Sequence, residues 1–220
     1  MEPTSRKYLF FDLDGTLTDS MPGIARAVQY ALRRFGIDVQ DLAALKPFLG
    51  PPLRDSFMEF YGMSPEEADR AVAVSREYFV PRGMFENELY PGIPELLAAT
   101  AAAGRVNVIA TSKPQPFAER IAAHFGIDRH FRLISGSTFD GRRKTKADVI
   151  RHALSALGIA PGEAVMIGDR RYDVEGAAEE GLPAIAVEWG YAPPGELEAA
   201  RPLRIVPDVE TLRRLLLGNE

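Results

Sequence analysis

Cysteine is absent from the 220-residue sequence, which excludes disulfides, thiolate catalysis and thiolate-bound metals. Histidine is scarce, and His124, His130 and His152 lack the spacing of a metal site, so we assign them to surface or helix positions. No apolar run approaches the roughly 18 residues of a membrane-spanning helix, and the first residues do not resemble a signal peptide. These absences predict a soluble, unexported protein of the cytoplasm.

The net charge of the chain also limits the classes of partner that it is expected to bind. With a net charge of −5, neither nucleic acid nor an acidic membrane surface is an expected partner. Lysine is rare, with five residues against 21 arginines, and three of the five lie beside candidate site motifs. A compact ammonium group is one reason for lysine to persist in such positions. The chain is expected to be a monomer or a homodimer.

Hydrophobic residues make up 46% of the chain, enough for one domain or a core with a small insert. Short apolar runs alternate with helical patterns, which predicts an α/β core with a doubly wound, Rossmann-like parallel sheet. Residues 20–86 show helical patterns only, so we expect a helical insert between two parts of a core formed by residues 1–19 and 87–220. The predicted strands are residues 8–11, 106–110, 131–135, 164–167, 184–187 and 204–206. The predicted core helices are residues 93–103, 114–125, 146–157, 173–180 and 209–217, and those of the insert are 21–35, 41–48, 54–61 and 65–79.

The end of the first predicted strand carries two carboxylates, Asp12 and Asp14, followed by Gly15. Burying carboxylates there is costly unless a cation or hydrogen-bond donors compensate, so this segment predicts a site. Asp12, at the carboxyl end of a strand, can attack phosphorus and form an aspartyl-phosphate. Asp14 lies on the same side of the strand and can protonate the leaving oxygen and then deprotonate water.

A carboxylate repels a phosphate dianion, so a hard cation is expected between them, and Mg²⁺ suits carboxylate and phosphate oxygens. One alternative is an Asp-Gly turn without a function. Another is part of a calcium loop, which fails because no series of ligands follows Gly15.

The run Asp12-Leu13-Asp14-Gly15-Thr16-Leu17 resembles the first motif of the haloacid dehalogenase superfamily of phosphohydrolases. Later segments extend the resemblance over nearly the whole chain, and the subgroup it is most similar to is that of the phosphoglycolate phosphatases. The resemblance implies that the insert is a cap over the active site, joined by linkers near residues 19–21 and 83–90. A rigid helical subdomain that never moves is the alternative.

A second strand end, residues 108–114, runs through Thr111 and Ser112 into a predicted helix. Hydroxyl and backbone N–H groups at a helix N-terminus bind phosphate oxygens, and Thr111 fits the family's second motif. Ordinary helix capping by Ser112 is the alternative.

A third strand end leads to Asp169 and Asp173, which can face one point from a turn that enters a helix. We expect Asp169 to bind Mg²⁺ directly and Asp173 to bind a metal-bound water or orient another ligand, a role compatible with capping the helix. Together with the Asp12 carboxylate and the backbone carbonyl of Asp14, they would supply the protein ligands of Mg²⁺.

A lysine is expected to neutralise the phosphate and Asp12, and residues 140–150 offer Lys144 and Lys146. The local pattern favours Lys146, which opens an apolar helix, whereas the spacing to Asp169 in other family members favours Lys144. Arg143 is a candidate to assist.

The substrate-facing part of the insert is expected at the turn of residues 50–54. Arg54 or Lys46 could meet a substrate carboxylate there. The alternative is a helix break with exposed basic side chains.

The sequence therefore predicts an Mg²⁺-dependent phosphomonoester hydrolase with Asp12, Asp14, Thr111 and Lys146 as its catalytic residues. Its substrate, the expected partner of the chain, would be a small phosphorylated metabolite. The resemblance favours 2-phosphoglycolate, and 5′-nucleotides or sugar phosphates, including a mutase reaction, are alternatives. A remote alternative is a phosphorylatable, receiver-like regulatory module, which would need neither Asp14 nor the insert. The candidate substrate-binding residues are Gly15, Thr16, Ser112, Lys113, Arg143 and Arg54.

Overall fold

The computed structural model describes residues 6–218, which form two compact units. One unit comprises residues 6–18 and 89–218, and the other comprises residues 19–88. The junctions expected from the sequence, 19/20 and 86/87, lie near these. No helix in the described part of the chain is both long and apolar enough to cross a bilayer.

In chain order the strands are β1 (Tyr8–Phe11), β2 (Thr18–Asp19), β3 (Glu88–Leu89), β4 (Val106–Pro114), β5 (Phe131–Ser137), β6 (Ala164–Gly168), β7 (Ala184–Val187) and β8 (Arg204–Val206). The α-helices are α1 (Met21–Arg34), α2 (Leu53–Tyr61), α3 (Pro65–Phe79), α4 (Ile93–Ala102), α5 (Gln115–His124), α6 (Lys146–Leu157), α7 (Arg171–Glu179), α8 (Glu196–Ala200) and α9 (Val209–Leu217). The 3₁₀ segments among residues 6–218 are Leu42–Phe48, Gly83–Phe85, Asp128–His130 and Pro161–Glu163.

The first unit is built on a six-stranded sheet with the order β5-β4-β1-β6-β7-β8. All of its strand pairings are parallel, so each connection returns the chain from the carboxyl end of one strand to the amino end of the next. β1 lies between β4 and β6, the point at which the strand order reverses. The predicted doubly wound α/β fold is confirmed, and such a reversal is where open sheets of this kind bind ligands.

The central strands are apolar because both faces of the sheet are covered. Phe10 lies in register with Val108 of β4 and Met166 of β6, and all three are completely buried. They share one core cluster with Ile150 of α6 and Ala177 of α7. Each large side chain buried in this way contributes about 1.5–3 kcal/mol, which holds β1 in the centre of the sheet.

The second unit is helical, with a core of its own. α1 and α3 pack together, and Val28, Leu32 and Ala71 are buried between them. The rings of Phe48 and Phe57 add an edge-on contact with centroids 5.1 Å apart. A two-stranded sheet of β2 and β3 lies where the chain passes from one unit to the other.

Several element bounds differ from the expectation. β4 continues to Pro114 and β5 to Ser137, and α7 begins at Arg171 rather than Asp173. The segment 42–48 is a 3₁₀ helix that contains Pro47, which has no N–H to donate to a helical bond. β2, β3 and α8 were not expected, because elements of two to five residues are too short to show a period.

The helix α6, whose first residue is Lys146, begins with reciprocal capping by Thr145 and Asp148. The Asp148 carboxylate accepts the N–H groups of Thr145 and Lys144 at 2.9 and 3.0 Å. These bonds lower the pKa of Asp148 to about 2, because they favour the ionised form. The ionised carboxylate therefore stabilises the folded chain above its unfolded pKa of about 3.9, and this contribution is lost as the pH falls towards 2.

We expect Asp148→Asn to lower the free energy of unfolding by about 1 kcal/mol at pH 6, with a smaller loss at pH 3. Urea unfolding at both pH values measures this difference. Glu59→Gln, which removes an exposed carboxylate of α2 that makes no ion pair within residues 6–218, is the matched control. An equal loss at the two pH values would show that the charge of Asp148 is not what stabilises the helix.

Candidate active site

Polar side chains collect at the carboxyl ends of the three central strands. Phe11 lies opposite Ile109 of β4 and Ile167 of β6, so the three strands reach this edge in register. The N–H of Asp12 donates to the carbonyl of Ile167 at 2.9 Å and extends the pairing by one residue. The segments that follow β1, β4 and β6 therefore begin side by side, although they are far apart in sequence.

Three carboxylates form the centre of this edge. Asp12, Asp169 and Asp173 each offer an oxygen, and these oxygens lie within 4.8 Å of one another. Asp169 is fully buried, and Asp173 and Asp12 are 1% and 9% exposed. Asp173 sits in the first turn of α7, where its carboxylate accepts the N–H of Arg170 at 3.0 Å. Both uses expected of Asp173, capping and facing the cluster, are compatible in this geometry.

Lys146 reaches the cluster from the start of α6. Its Nζ lies 2.8 Å from Oδ1 of Asp12 and 2.7 Å from Oδ1 of Asp173, and it donates to the carbonyl of Ala110 at 3.1 Å. Burial alone would lower the pKa of Lys146, but Asp12 and Asp173 raise it well above the ordinary value. Lys146 is therefore a fixed cation in contact with Asp12. Lys144, the other candidate, is exposed, and its backbone N–H donates to Asp148.

The cluster keeps an excess of negative charge. Three carboxylates face one ammonium group, and no ion pair joins Asp169 to a lysine or arginine within residues 6–218. Burial raises the pKa of Asp169 well above its usual range, and Asp173 and Asp12 raise it further. Burial also raises the pKa of Asp173, to about 6, against the effect of Lys146. This buried set of oxygens fits a divalent cation, which would offset the surplus charge.

Neutral groups fix Asp169 from both sides. Thr16 Oγ1 donates to Oδ1 at 3.2 Å, and the N–H of Tyr191 donates to Oδ2 at 2.8 Å. Gly15 and Gly190 pack so closely that a Cβ at either position would lie 2.3 Å from an atom of Asp169. The carboxylate is thus held in one place without a cation.

Asp14 contacts a different cation, the ammonium group of Lys113. Lys113 Nζ lies 2.6 Å from Oδ2 of Asp14, and the lysine side chain is almost completely buried. The sequence predicted Lys113 as a substrate-binding residue, whereas here its ammonium group contacts the expected proton carrier. The two neighbouring carboxylates, Asp12 and Asp14, therefore contact different lysines.

The expectation for Thr111 and Ser112 was wrong in its local structure. Both lie on β4, which stays extended to Pro114, and α5 begins only at Gln115. Ser112 is therefore not a helix cap, and the two hydroxyls are not at a helix N-terminus. Thr111 is buried, and its Oγ1 accepts the N–H of Lys113 at 3.2 Å. The chain stays extended because β4 continues to pair with β5 as far as Ser137.

The remaining predicted residues are not part of this cluster. Arg143 donates to Oε1 of Gln115 at 2.7 Å, which places it beside the segment that follows Lys113. Arg54 lies in the helical unit, where its Nε contacts Asp69 at 2.8 Å. Lys46 is exposed in the same unit.

The segment after β7 contributes groups that the sequence analysis missed. Trp189, the single tryptophan, donates its Nε1 to the carbonyl of Thr16 at 3.1 Å. Glu196 forms a two-point ion pair with Arg170, with distances of 2.7 and 3.1 Å, and ties α8 to the residue after Asp169. The location of this segment could have been inferred from the sequence, because residues that follow a buried parallel strand lie at the same edge of the sheet. Its individual contacts could not.

Comparison with known proteins identifies the family of the chain. The family model of haloacid dehalogenase-like hydrolases matches residues 9–187. A 5′-nucleotidase of Pseudomonas aeruginosa is 47% identical over 94% of each chain, and a phosphoglycolate phosphatase of Yersinia pestis is 32% identical over 82% of this chain and 80% of that protein. The crystal structure of a predicted phosphatase from Clostridium acetobutylicum superposes with a TM-score of 0.93 at 46% identity, over 97% of this chain and 99% of that chain. The relatives of this chain thus include proteins named as phosphatases, and the chain belongs to the haloacid dehalogenase-like hydrolases, as its motifs predicted.

Proposed function

We propose that the chain is an Mg²⁺-dependent phosphomonoesterase in which Asp12 is the nucleophile. The observation that supports this most directly is the contact of Lys146 with Asp12, within a cluster that also contains Asp169 and Asp173. A buried carboxylate beside a fixed cation and a site for a second one is suited to receive a phosphoryl group.

The first half of the reaction transfers the phosphoryl group. An oxygen of Asp12 attacks phosphorus as the bond to the leaving oxygen breaks, and Asp14 gives its proton to that oxygen. Lys146 offsets the charge shared by Asp12 and the phosphoryl oxygens. The buried hydroxyl of Thr111, which fits the family's second motif, is the proposed neutral donor to those oxygens. The N–H groups of Gly15 and Thr16 already donate to the carbonyls of Thr18 and Leu13, at 2.8 and 3.3 Å.

The second half releases phosphate. Asp14, now a carboxylate, takes a proton from water as the water oxygen attacks the aspartyl-phosphate, and Asp12 is restored. Asp12, Asp169, the carbonyl of Asp14 and, through water, Asp173 would hold Mg²⁺, which would supply charge neutralisation and orientation of the phosphoryl oxygens.

We propose that residues 20–86 act as the cap that the family resemblance implies. The support is that they form a separate unit with its own core, joined to the rest of the chain through β2 and β3. A cap of this kind would exclude water from the aspartyl-phosphate until the leaving group has gone.

For the substrate, we propose a nucleoside 5′-monophosphate, with 2-phosphoglycolate as the second candidate. The sequence alone favoured 2-phosphoglycolate, but the 47% identical relative is named a 5′-nucleotidase and the phosphoglycolate phosphatase is 32% identical. Arg54, one of the cations suggested for a substrate carboxylate, already pairs with Asp69. Membership of a hydrolase family favours an enzyme over a receiver-like module.

A phosphate-release assay over both substrate classes, with Mg²⁺ and with EDTA, tests the reaction and its substrate. We expect kcat/KM to be highest for nucleoside 5′-monophosphates and turnover to stop in EDTA. Higher values for 2-phosphoglycolate would reverse the order of the two candidates. Full turnover without a divalent ion would contradict the proposed mechanism.

Replacing the nucleophile should end catalysis while leaving the fold intact. We expect Asp12→Asn to lower kcat for p-nitrophenyl phosphate by at least about 10³-fold, because no aspartyl-phosphate can form. Asp38→Asn, which changes an exposed aspartate of the helical unit, should keep its activity and serves as the control. Substantial activity of Asp12→Asn, with a melting temperature close to that of the parent, would remove Asp12 from the mechanism.

The proposed metal site predicts that Asp169→Asn raises the stability of the metal-free protein but reduces its stabilisation by Mg²⁺. In metal-free buffer, Asp169→Asn should melt at a higher temperature than the parent, because it removes a buried charge that has no ammonium partner. Mg²⁺ at 100 times its Kd should stabilise the parent by about 2.7 kcal/mol and Asp169→Asn far less. Thermal melts of EDTA-treated protein with added Mg²⁺ measure both effects. Equal stabilisation of the two proteins by Mg²⁺ would place the ion elsewhere.

A further inference from the structure

Lys113 holds one oxygen of Asp14 and leaves the other available. Its Nζ lies 2.6 Å from Oδ2, with the side chains of Lys113 and Asp14 5% and 19% exposed. The second oxygen, Oδ1, is buried and has no hydrogen-bond partner among the described residues. A carboxylate fixed at one oxygen has a defined direction in which the other can accept a proton.

An irregularity in β4 brings Lys113 to this place. Between the pairs Ala110↔Ser135 and Pro114↔Ser137, β4 has three residues where β5 has one. Such a bulge re-aims side chains, and bulges are common beside active sites. Lys113 is buried here, whereas its neighbour Ser112 is only half-buried.

The single residue of β5 opposite this bulge is Gly136. A Cβ there would lie 2.7 Å from the carbonyl oxygen of Lys113 and 2.5 Å from Cα of Gln115. These are backbone atoms, so a larger residue would force the bulge to move. The position of Lys113 thus also depends on the lack of a side chain at Gly136 of β5.

We propose that Lys113 is a positioning residue for Asp14 in the step that hydrolyses the aspartyl-phosphate, an inference that rests on the proposed function. In that step Asp14 Oδ1 accepts a proton from water, the water oxygen bonds to phosphorus, and the bond from phosphorus to Asp12 breaks. Lys113 keeps Oδ2 in place, so that Oδ1 points to the water. The contact with Asp14 assigns Lys113 a role other than the direct substrate binding expected from the sequence.

The test separates the two halves of the reaction. p-Nitrophenolate leaves without a proton, so its kcat/KM reports transfer to Asp12, whereas kcat includes hydrolysis of the aspartyl-phosphate. We expect Lys113→Met to lower kcat by about 10²-fold and to change kcat/KM by less than about threefold. The variant should show a burst of one p-nitrophenolate per enzyme, and acid-quenched samples should carry one added phosphoryl group by mass spectrometry.

Lys113→Arg keeps the cation and should recover most of kcat, whereas a merely spatial role of the lysine would predict no such recovery. Lys7→Met, which removes a lysine that stacks on Tyr8 at the opposite end of β1, is the matched control. Gly136→Ala should reproduce the loss of kcat and the trapped phosphoenzyme by moving the bulge, and it tests the inference even if Lys113→Met does not fold. Gly162→Ala, where a Cβ meets nothing within 4 Å, is its control.

The outcomes are distinguishable. Equal losses in kcat and kcat/KM, or a rise in KM alone, would show that Lys113 binds the substrate and would overturn the inference. Unchanged kinetics in Lys113→Met would overturn it as well. If the parent enzyme with Mg²⁺ releases no p-nitrophenolate, the proposed function itself fails.

Discussion

The repulsion among three buried carboxylates is the constraint on which the rest of the structure depends. Taking ions of one sign out of water costs several kcal/mol each, and Lys146 contacts only two of the three acids. Asp169 is held instead by the hydroxyl of Thr16 and the N–H of Tyr191, which fix its place without cancelling its charge. A fold selected for stability alone would neutralise such a cluster. The preserved surplus of negative charge is the physical reason to expect a divalent cation there.

The sheet tolerates this repulsion because the buried apolar residues of its central strands directly precede, in sequence, the acidic residues at its edge. Leu9, Phe10 and Phe11 are completely buried, and Asp12 follows them at once. The same sequence of apolar strand and then acid occurs at β6, which ends before Asp169. Parallel pairing brings these ends together, so hydrophobic burial within the strands stabilises the charges beyond them. The register of the parallel strands therefore brings these acidic side chains together.

This logic explains which parts of the site could be predicted from the sequence. Asp12 and Asp169 follow strands whose apolar runs are easy to recognise, and Lys146 opens a helix with a capping pattern. The bulge in β4 could not be predicted, because extended and helical backbone compete at residues 111–114 and pairing with β5 decides between them. Nor could the contacts of residues 189–196, since a glycine-containing turn and a five-residue helix have no period that fixes where their side chains meet.

The bulge has a chemical consequence that residue type alone does not reveal. Asp12 and Asp14 are the same amino acid, two positions apart, yet each contacts a different lysine. Asp12 shares Lys146 with Asp173 inside the acidic cluster, whereas Asp14 has the ammonium group of Lys113 on one oxygen and nothing described on the other. Two carboxylates can take different roles only if their surroundings differ. Because Lys146 comes from α6 and Lys113 from the bulge of β4, the topology of the fold gives the proposed nucleophile and the proposed proton carrier different surroundings.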